Sequence, residues 1–271
     1  MAYPGTKYDR AKELECVERR SWSTVVDAFY GGGGLSKAFL CGHDAELLIG
    51  GEVFAPLRSL YISEVDLIEL CDRVKADINE IGRSAFWSHI RSALRSDSAR
   101  YTAAEAFVIL NNLSYGNGMR HGKSKEDGIL RHNIKLADEK LESLYKRGAF
   151  INPIALPPQV TYPDWKSALM AASGVGAVAL LDPPYIKTYT IYPEGKPSLC
   201  AAPPVEFAMI REYGSIVAYN KNDLGLDFKF KQLADCFNYS IKSIVTGWSA
   251  RYSAVSFKKE ATEAMWIFNK L

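Results

Sequence analysis

Apolar positions along the chain follow two alternating periods. A charged amphipathic helix is expected over residues 7–20, KYDRAKELECVERR, and a short buried strand over 23–29, STVVDAF. Four glycines at 31–34 follow, and LSKAFL then resumes helical spacing, which makes a strand, glycine turn and helix unit. A second strand is expected at 59–63, SLYIS, ending at Glu64, with a periodic helix over 65–78, VDLIELCDRVKADI. From 83 to 147, helical segments such as AFWSHIRSALR and AAEAFVILNNL flank a polar loop, SYGNGMRHGKSKEDG at 114–128, and this block reads as an insertion. Strand character returns at 151–156, a helix is expected near 165–172, and the apolar run VGAVALL at 175–181 leads into Asp-Pro-Pro-Tyr. GSIVAYN (214–220) reads as a buried strand, FKQLADCF (230–237) as a helix, and YSIKSIVTGW and EAMWIFN as closing strands. Strands alternating with helices predict an α/β fold with a doubly wound, mostly parallel sheet. Its ligands bind beyond the carboxyl ends of the strands. The domains expected are a sheet domain from 1–78 and 148–271 and a mainly helical insertion at 79–147.

Composition narrows the picture. The chain has 271 residues, enough for one large domain carrying an insert. It is 48% hydrophobic and 24% charged, and no apolar run approaches the roughly 18–20 residues of a membrane span, so a membrane location is not expected. The start, MAYPGTKYDR, is charged and does not read as a secretory leader. Cys16, Cys41, Cys71, Cys200 and Cys236 form no C-x-x-C pair, which argues against a disulfide framework or a zinc site and fits a reducing cytoplasm. His43, His89, His121 and His132 show no metal-ligand spacing, so no metal is expected. There is no G-x-S-x-G elbow for a hydrolase nucleophile. With a net charge of +2, any nucleic-acid partner must be met by locally concentrated positive charge.

The glycine turn is the first candidate for chemistry. Glycine lets backbone approach a ligand closely and tolerates positive φ. The spacing is Phe29-x-Gly31-x-Gly33, without a P-loop lysine, which disfavours triphosphate binding; the alternative is a tight strand-to-helix turn with no ligand. Glu64, at the end of the expected second strand, is a candidate acceptor for ribose hydroxyls, with Asp66 a weaker one. The competing reading is an exposed acid at the start of the following helix.

Asp182-Pro183-Pro184-Tyr185 is the second candidate. Two prolines in series fix φ and remove two donors, so they stop the strand and turn the carbonyls around Asp182 and Pro183 outward as acceptors. Substitution on an aromatic amine needs such acceptors. The amine's lone pair is delocalised into its ring, and hydrogen bonds accepted from both of its hydrogens localise that pair on nitrogen. Asp182 and the Pro183 carbonyl are placed to accept those bonds, and Tyr185 to stack on the ring. A carboxylate near its reference pKa of about 3.9 is a weak base, so orientation and electrostatics outweigh proton abstraction.

F-x-G-x-G followed by D-P-P-Y resembles S-adenosylmethionine-dependent DNA adenine-N6 methyltransferases, in particular the Dam-like branch, and the resemblance runs over nearly the whole chain. Tyr3-Pro4-Gly5-Thr6-Lys7 is similar to the family's Y-P-G-G-K element, with Thr6 where a second glycine is usual. Asp27 through Gly33 (with Phe29, Tyr30, Gly31, Gly32), running into Gly34, resembles its cofactor loop. Ile62-Ser63-Glu64-Val65 resembles the segment supplying a ribose-binding acid, where aspartate is commoner. LNNLSYGNGMR at 110–120, with Asn112, Asn117 and Arg120, looks like the opening of the DNA-reading region. TYPDW (161–165) is similar to the family's G-D-F segment, which implies that Asp164, with Trp165, contacts the cofactor adenine; AYNKND (218–223) sits where the family has S-N-x-D, and EAMWIFN resembles its closing strand.

The resemblance implies a Rossmann-like methyltransferase sheet with an inserted target-recognition domain. It implies methyl transfer to N6 of adenine in double-stranded DNA, with the target nucleotide rotated out of the helix. Sequence reading then falls to Arg120, His121, Lys123, Lys125 and Arg131, and phosphate contacts to Arg251 with Lys258 and Lys259. The other reading of the 114–128 loop is a solvated charged turn, since Glu126 and Asp127 dilute its basic residues. A monomer or weak dimer in a bacterial or phage-infected cytoplasm is expected, with host protection, restriction pairing or gene control as its setting. Two rivals stand beside this reading: a related transferase acting on cytosine N4 or RNA, and a DNA-binding protein that kept the fold and lost the reaction.

Overall fold

The computed structural model describes residues 7, 10–94, 100–113, 138–183, 201–246 and 263–271. Seven strands form one sheet: β1 (Ser21–Asp27), β2 (Asp44–Gly51), β3 (Val160–Tyr162), β4 (Ala177–Leu181), β5 (Ser215–Lys221), β6 (Tyr239–Thr246) and β7 (Glu263–Lys270). Their order is β3-β2-β1-β4-β5-β7-β6. The first five are mutually parallel, and β7 runs antiparallel between β5 and β6. This is the doubly wound, Rossmann-like sheet expected from the sequence. Its strand order reverses between β1 and β4, the place where such sheets open a crevice for ligands.

Helices cover both faces, so the central strands carry apolar residues on each side. Val25, Leu48, Val178, Leu180 and Val217 point into one core, shared with α2 (Gly34–Leu40), α3 (Ala55–Ile62), α4 (Leu67–Ala93) and α5 (Ala103–Leu113). Val26, Ile49, Ala179, Leu181 and Ile216 point into the other, against α7 (Trp165–Met170), α8 (Ala202–Ile210) and α9 (Leu224–Phe237). A short α1 (Ala11–Leu14) precedes β1, and α6 (Asp138–Arg147) follows α5. On the second face the Phe230 ring meets Trp266 and Phe268 edge-on at 5.1 and 5.4 Å. Such pairs contribute about 0.5–1.5 kcal/mol each beyond their area. The Trp266 indole N–H donates to Asp227 at 3.0 Å, so the ring buries no unpaired donor.

Several expected elements are redrawn. The helix expected at 7–20 shortens to the four residues of α1. The strand expected at 59–63 is the second half of α3 instead. Pro56 opens that helix in its first turn, and Pro56, Leu57, Leu60 and Tyr61 are the buried positions, a helical and not an alternating set. The second strand is β2, DAELLIGG, which had no expected element. The strand expected at 151–156 is likewise absent: β3 begins at Val160 and pairs with the end of β2. The helices expected at 65–78 and 85–95 join into α4, which bends at Gly82 (φ 77°). The domain boundary drawn after residue 78 therefore lies inside a helix, and the helices beyond it share the core of the first sheet face. Among the described residues no helix is long and apolar enough to cross a membrane.

Candidate active site

Four parallel strands each end at an acid. Asp27 closes β1, Glu52 follows β2, Asp164 lies two residues beyond β3, and Asp182 follows β4. Asp27 pairs in register with Leu180, so Asp182 stands just past it on the neighbouring strand, at the switch point. The Asp182 charge is felt at the Asp27 carboxyl, which places the two acids in one electrostatic field.

Asp27 is buried, and its carboxylate accepts from the Ser36 hydroxyl at 2.7 Å and from the Phe29 amide at 3.3 Å. Burial pushes its pKa up to about 7; the bonds from Ser36 and Phe29 pull the other way, and Asp182 adds a further push upward. Its bonds fold the chain back over the glycine turn. Gly33 has φ 72°, and a Cβ there would lie 2.6 Å from the Leu156 carbonyl oxygen, so only glycine fits. The turn is clasped from two sides. Tyr30 donates its hydroxyl to the Leu156 carbonyl at 2.5 Å, Ala155 N–H donates to Gly32 O at 2.7 Å, and Tyr61 donates to Gly31 O at 2.7 Å. Gly34 begins α2, and Gly31 to Gly34 are all buried under these contacts.

The acid beside this turn is Glu52, not Glu64. Glu64 is exposed and lies between α3 and α4, away from any strand end, because the strand expected before it is helical. Val65 packs at the margin of the first core, and Asp66 caps α4, accepting from Ile68 and Glu69 N–H at 2.9 and 3.0 Å, the helix-start role weighed for it. Glu52 is 3% exposed, accepts from Gly31 N–H at 3.1 Å and from Phe54 N–H at 2.8 Å, and thereby ties the end of β2 to the glycine turn. Burial raises its pKa to about 7 against the pull of the Phe54 and Gly31 amides and of Arg58. The missed signal was spacing: Glu52 falls at the interval of about 20 residues after the glycines that a ribose-binding acid keeps, whereas Glu64 exceeds it. Gly51 hid the strand, yet its hydrogen is required, since a Cβ would meet the Ala28 carbonyl oxygen at 2.6 Å.

At the β4 end, Asp182 accepts from Lys7, whose ammonium nitrogen lies 3.1 Å from Oδ2. The same nitrogen lies 3.0 Å from Glu263 Oε1, and 5.6 Å from the centroid of the Tyr219 ring. Burial pulls the Lys7 pKa down, but the Asp182 and Glu263 carboxylates outweigh it and hold it above the ordinary lysine value. Lys7, expected as a cofactor contact, is thus engaged with the carboxylate expected to orient the amine. Pro183 is buried beside it.

Asp164 caps α7. Both of its oxygens are engaged by Ser167, the amide at 2.8 Å and the hydroxyl at 2.7 Å, and these bonds hold its pKa low despite partial burial. Trp165 packs edge-on against Phe207 at 5.9 Å. Asn112, expected to contact DNA, is held inside α5. Its amide donates to the Val108 and Ile151 carbonyls and its oxygen accepts from Ile151 N–H, each at 2.9 Å, so the group clamps the chain after α6 and does not face a base. Tyr3, Pro4, Gly5, Pro184, Tyr185, Asn117, Arg120, His121, Lys123, Lys125, Arg131 and Arg251 lie outside the described residues. Among the described residues no three His, Cys, Asp or Glu side chains gather as a metal site requires.

No family model matches the chain, and no curated protein is similar to it. Solved structures resemble its overall shape. A precorrin 8w decarboxylase from Methanobacterium thermoautotrophicum aligns at 9% identity and a TM-score of 0.41, covering 99% of this chain and 94% of that one. A provisionally assigned RNA methyltransferase from Pyrococcus horikoshii aligns at 11% identity and a TM-score of 0.42, covering 97% and 84%. Likeness at this level says nothing about which reaction the chain performs, and the functional reading rests on its own residues.

Proposed function

We propose that the protein transfers a methyl group from S-adenosylmethionine to N6 of adenine in double-stranded DNA, by direct displacement with no covalent enzyme intermediate. The observation that carries this reading is the meeting of the glycine turn and the Asp-Pro corner at the carboxyl ends of adjacent strands, where Asp27 senses the Asp182 charge. The cofactor supplies an electrophilic methyl carbon on a sulfonium.

The residues present suit that cofactor. Glu52, a buried carboxylate at the end of β2, is assigned to accept from ribose hydroxyls, with Asp27 beside the glycine turn that Gly33 closes at φ 72°. Asp182 and the Pro183 carbonyl accept the two hydrogens of the adenine amine, which localises the nitrogen lone pair and aims it in line with the methyl carbon. The positive charge that develops on nitrogen is stabilised by the Asp182 carboxylate, and the surplus proton leaves to solvent after transfer. Tyr185 is assigned to stack on the extruded base, and the 114–128 loop, with Arg120, to reading its neighbours.

The test is incubation of the protein with isotopically labelled cofactor and either unmethylated genomic DNA or total RNA, followed by mass spectrometry of the released nucleosides. N6-methyldeoxyadenosine from DNA is expected. Label on cytosine N4 or on RNA transfers the activity to the related reaction, and binding of S-adenosylhomocysteine and DNA without any labelled nucleoside identifies a protein that has lost catalysis.

A further inference from the structure

Glu263, the first residue of β7, is an acid sealed inside the candidate site, with its side chain 1% exposed. Its register sets it opposite Lys221 of β5 and Thr246 of β6, at the same sheet edge as the Asp-Pro corner. Oε1 lies 3.0 Å from the Lys7 ammonium; Oε2 lies 3.4 Å from an Arg10 guanidinium nitrogen and 3.4 Å from the Thr246 hydroxyl. Lys7 reaches in the other direction to Asp182 Oδ2 at 3.1 Å. One ammonium is thus shared between a sealed carboxylate and the carboxylate that ends β4.

Sharing is the informative feature. A lysine that only tethered the chain to the sheet would need a single partner, whereas here a buried carboxylate that also meets Arg10 and Thr246 shares the ammonium with Asp182. With Glu263 present, the Lys7 charge is balanced without consuming that of Asp182. Lys7 then grips Asp182 at Oδ2, which helps fix the carboxylate plane, while the cluster keeps negative charge to meet an amine turning cationic. The geometry points to Glu263 as a positioning residue that, through Lys7, orients Asp182 and preserves its negative charge for the incoming amine. This rests on the methyl-transfer reading of the Asp182 corner. Other charged or titratable groups facing the cluster are Arg10, just before α1, and Glu13 within it, themselves paired at 2.7 Å, Asp27 from β1 and the Tyr219 phenol from β5.

The experiment uses the full chain and the isosteric variant Glu263→Gln. Two quantities are followed: the titration of the Lys7 side chain by carbon-detected magnetic resonance, assigned with Lys7→Arg, and the pH dependence of kcat and of the cofactor KM. In Glu263→Gln the Lys7 titration moves to lower pH, and kcat at pH 9.5 falls about tenfold relative to pH 7.5, where the unaltered protein loses less than about twofold. The cofactor KM stays within about threefold, a split that simple loss of stability does not produce. Glu263→Asp, which keeps the charge, restores the shape of the pH profile, at a lower kcat because its carboxylate stands one methylene farther from Lys7. A Lys7 titration and a kcat profile both unmoved in Glu263→Gln overturn the assignment. Should that variant not fold, Glu263→Asp decides: its one-methylene retreat must lower kcat at constant KM, and an unchanged kcat overturns the assignment. An unaltered protein that methylates no nucleic acid, while its Lys7 titration still shifts on removal of the Glu263 charge, refutes the methyl-transfer reading and leaves the electrostatic coupling standing.

Discussion

The two sides of the switch point hold their acids by different means. At the β1–β2 side, Asp27 and Glu52 are fixed by short-range bonds from Phe29, Ser36, Gly31 and Phe54, and burial raises both carboxyls to about pH 7. At the β4 side, Asp182 is held by an ammonium from the start of the chain, itself balanced by a carboxylate near its end. Backbone and hydroxyl donors hold Asp27 and Glu52 directly, and the Arg58 guanidinium adds a weaker pull on Glu52. An ammonium gives the other carboxylate an ionic partner as well as a fixed orientation. The first arrangement suits acceptors of ribose hydroxyls, the second a carboxylate that must stay anionic against a developing cation.

The contrast can be broken most sharply at Glu52. Glu52→Ala should weaken S-adenosylhomocysteine binding about 30-fold, close to 2 kcal/mol for two lost acceptor contacts, whereas Glu64→Ala should leave it unchanged. Calorimetric titration of both variants measures the difference, and equal losses would return the ribose role to Glu64. Ser36→Ala removes the shorter of the two bonds to Asp27 and should lower stability by about 1.5 kcal/mol in denaturant unfolding at pH 8, with a smaller loss at pH 5, where that carboxyl holds its proton.

The smallest effect is in pH. The folded pKa values of about 7 for Asp27 and Glu52 exceed their ordinary 3.8 and 4.5. Their contribution to stability is therefore complete below about pH 4 and is lost as pH rises through 7. Ligand-free protein should accordingly show this loss between about pH 4 and pH 7. Over pH 6 to 8 S-adenosylhomocysteine affinity should rise, by up to about tenfold, as Glu52 ionises and becomes the stronger acceptor. A flat binding profile would place ribose on some other group.

What the sequence disclosed follows the same division. β4 and the Asp-Pro corner were legible because five consecutive buried apolar residues run into a proline-stopped acid, and α5 because its alanines and the AFVIL run favour a buried helix. β2 was not legible, because its last two residues are glycines demanded by contacts with Tyr30 and Ala28 that only the fold creates. α8 carries Pro203 and Pro204 in its first turn, where they are tolerated but read locally as a break. The segment around Ala155 and Leu156 has strand-like composition, yet it gives its hydrogen bonds to the glycine turn. Asn112 had a motif-like neighbourhood but serves α5 and Ile151. The Lys7–Glu263 pairing has no local signature, since the two residues come from opposite ends of the chain and meet only across the sheet edge.

The reading as a whole is tested most directly by Asp182→Ala, assayed for labelled methyl transfer to unmethylated DNA alongside S-adenosylhomocysteine binding. Incorporation should fall by at least about 10³-fold while affinity for the cofactor product stays within about threefold. Methylation at the unaltered rate in that variant would contradict the assignment of the Asp-Pro corner as the site that receives the amine.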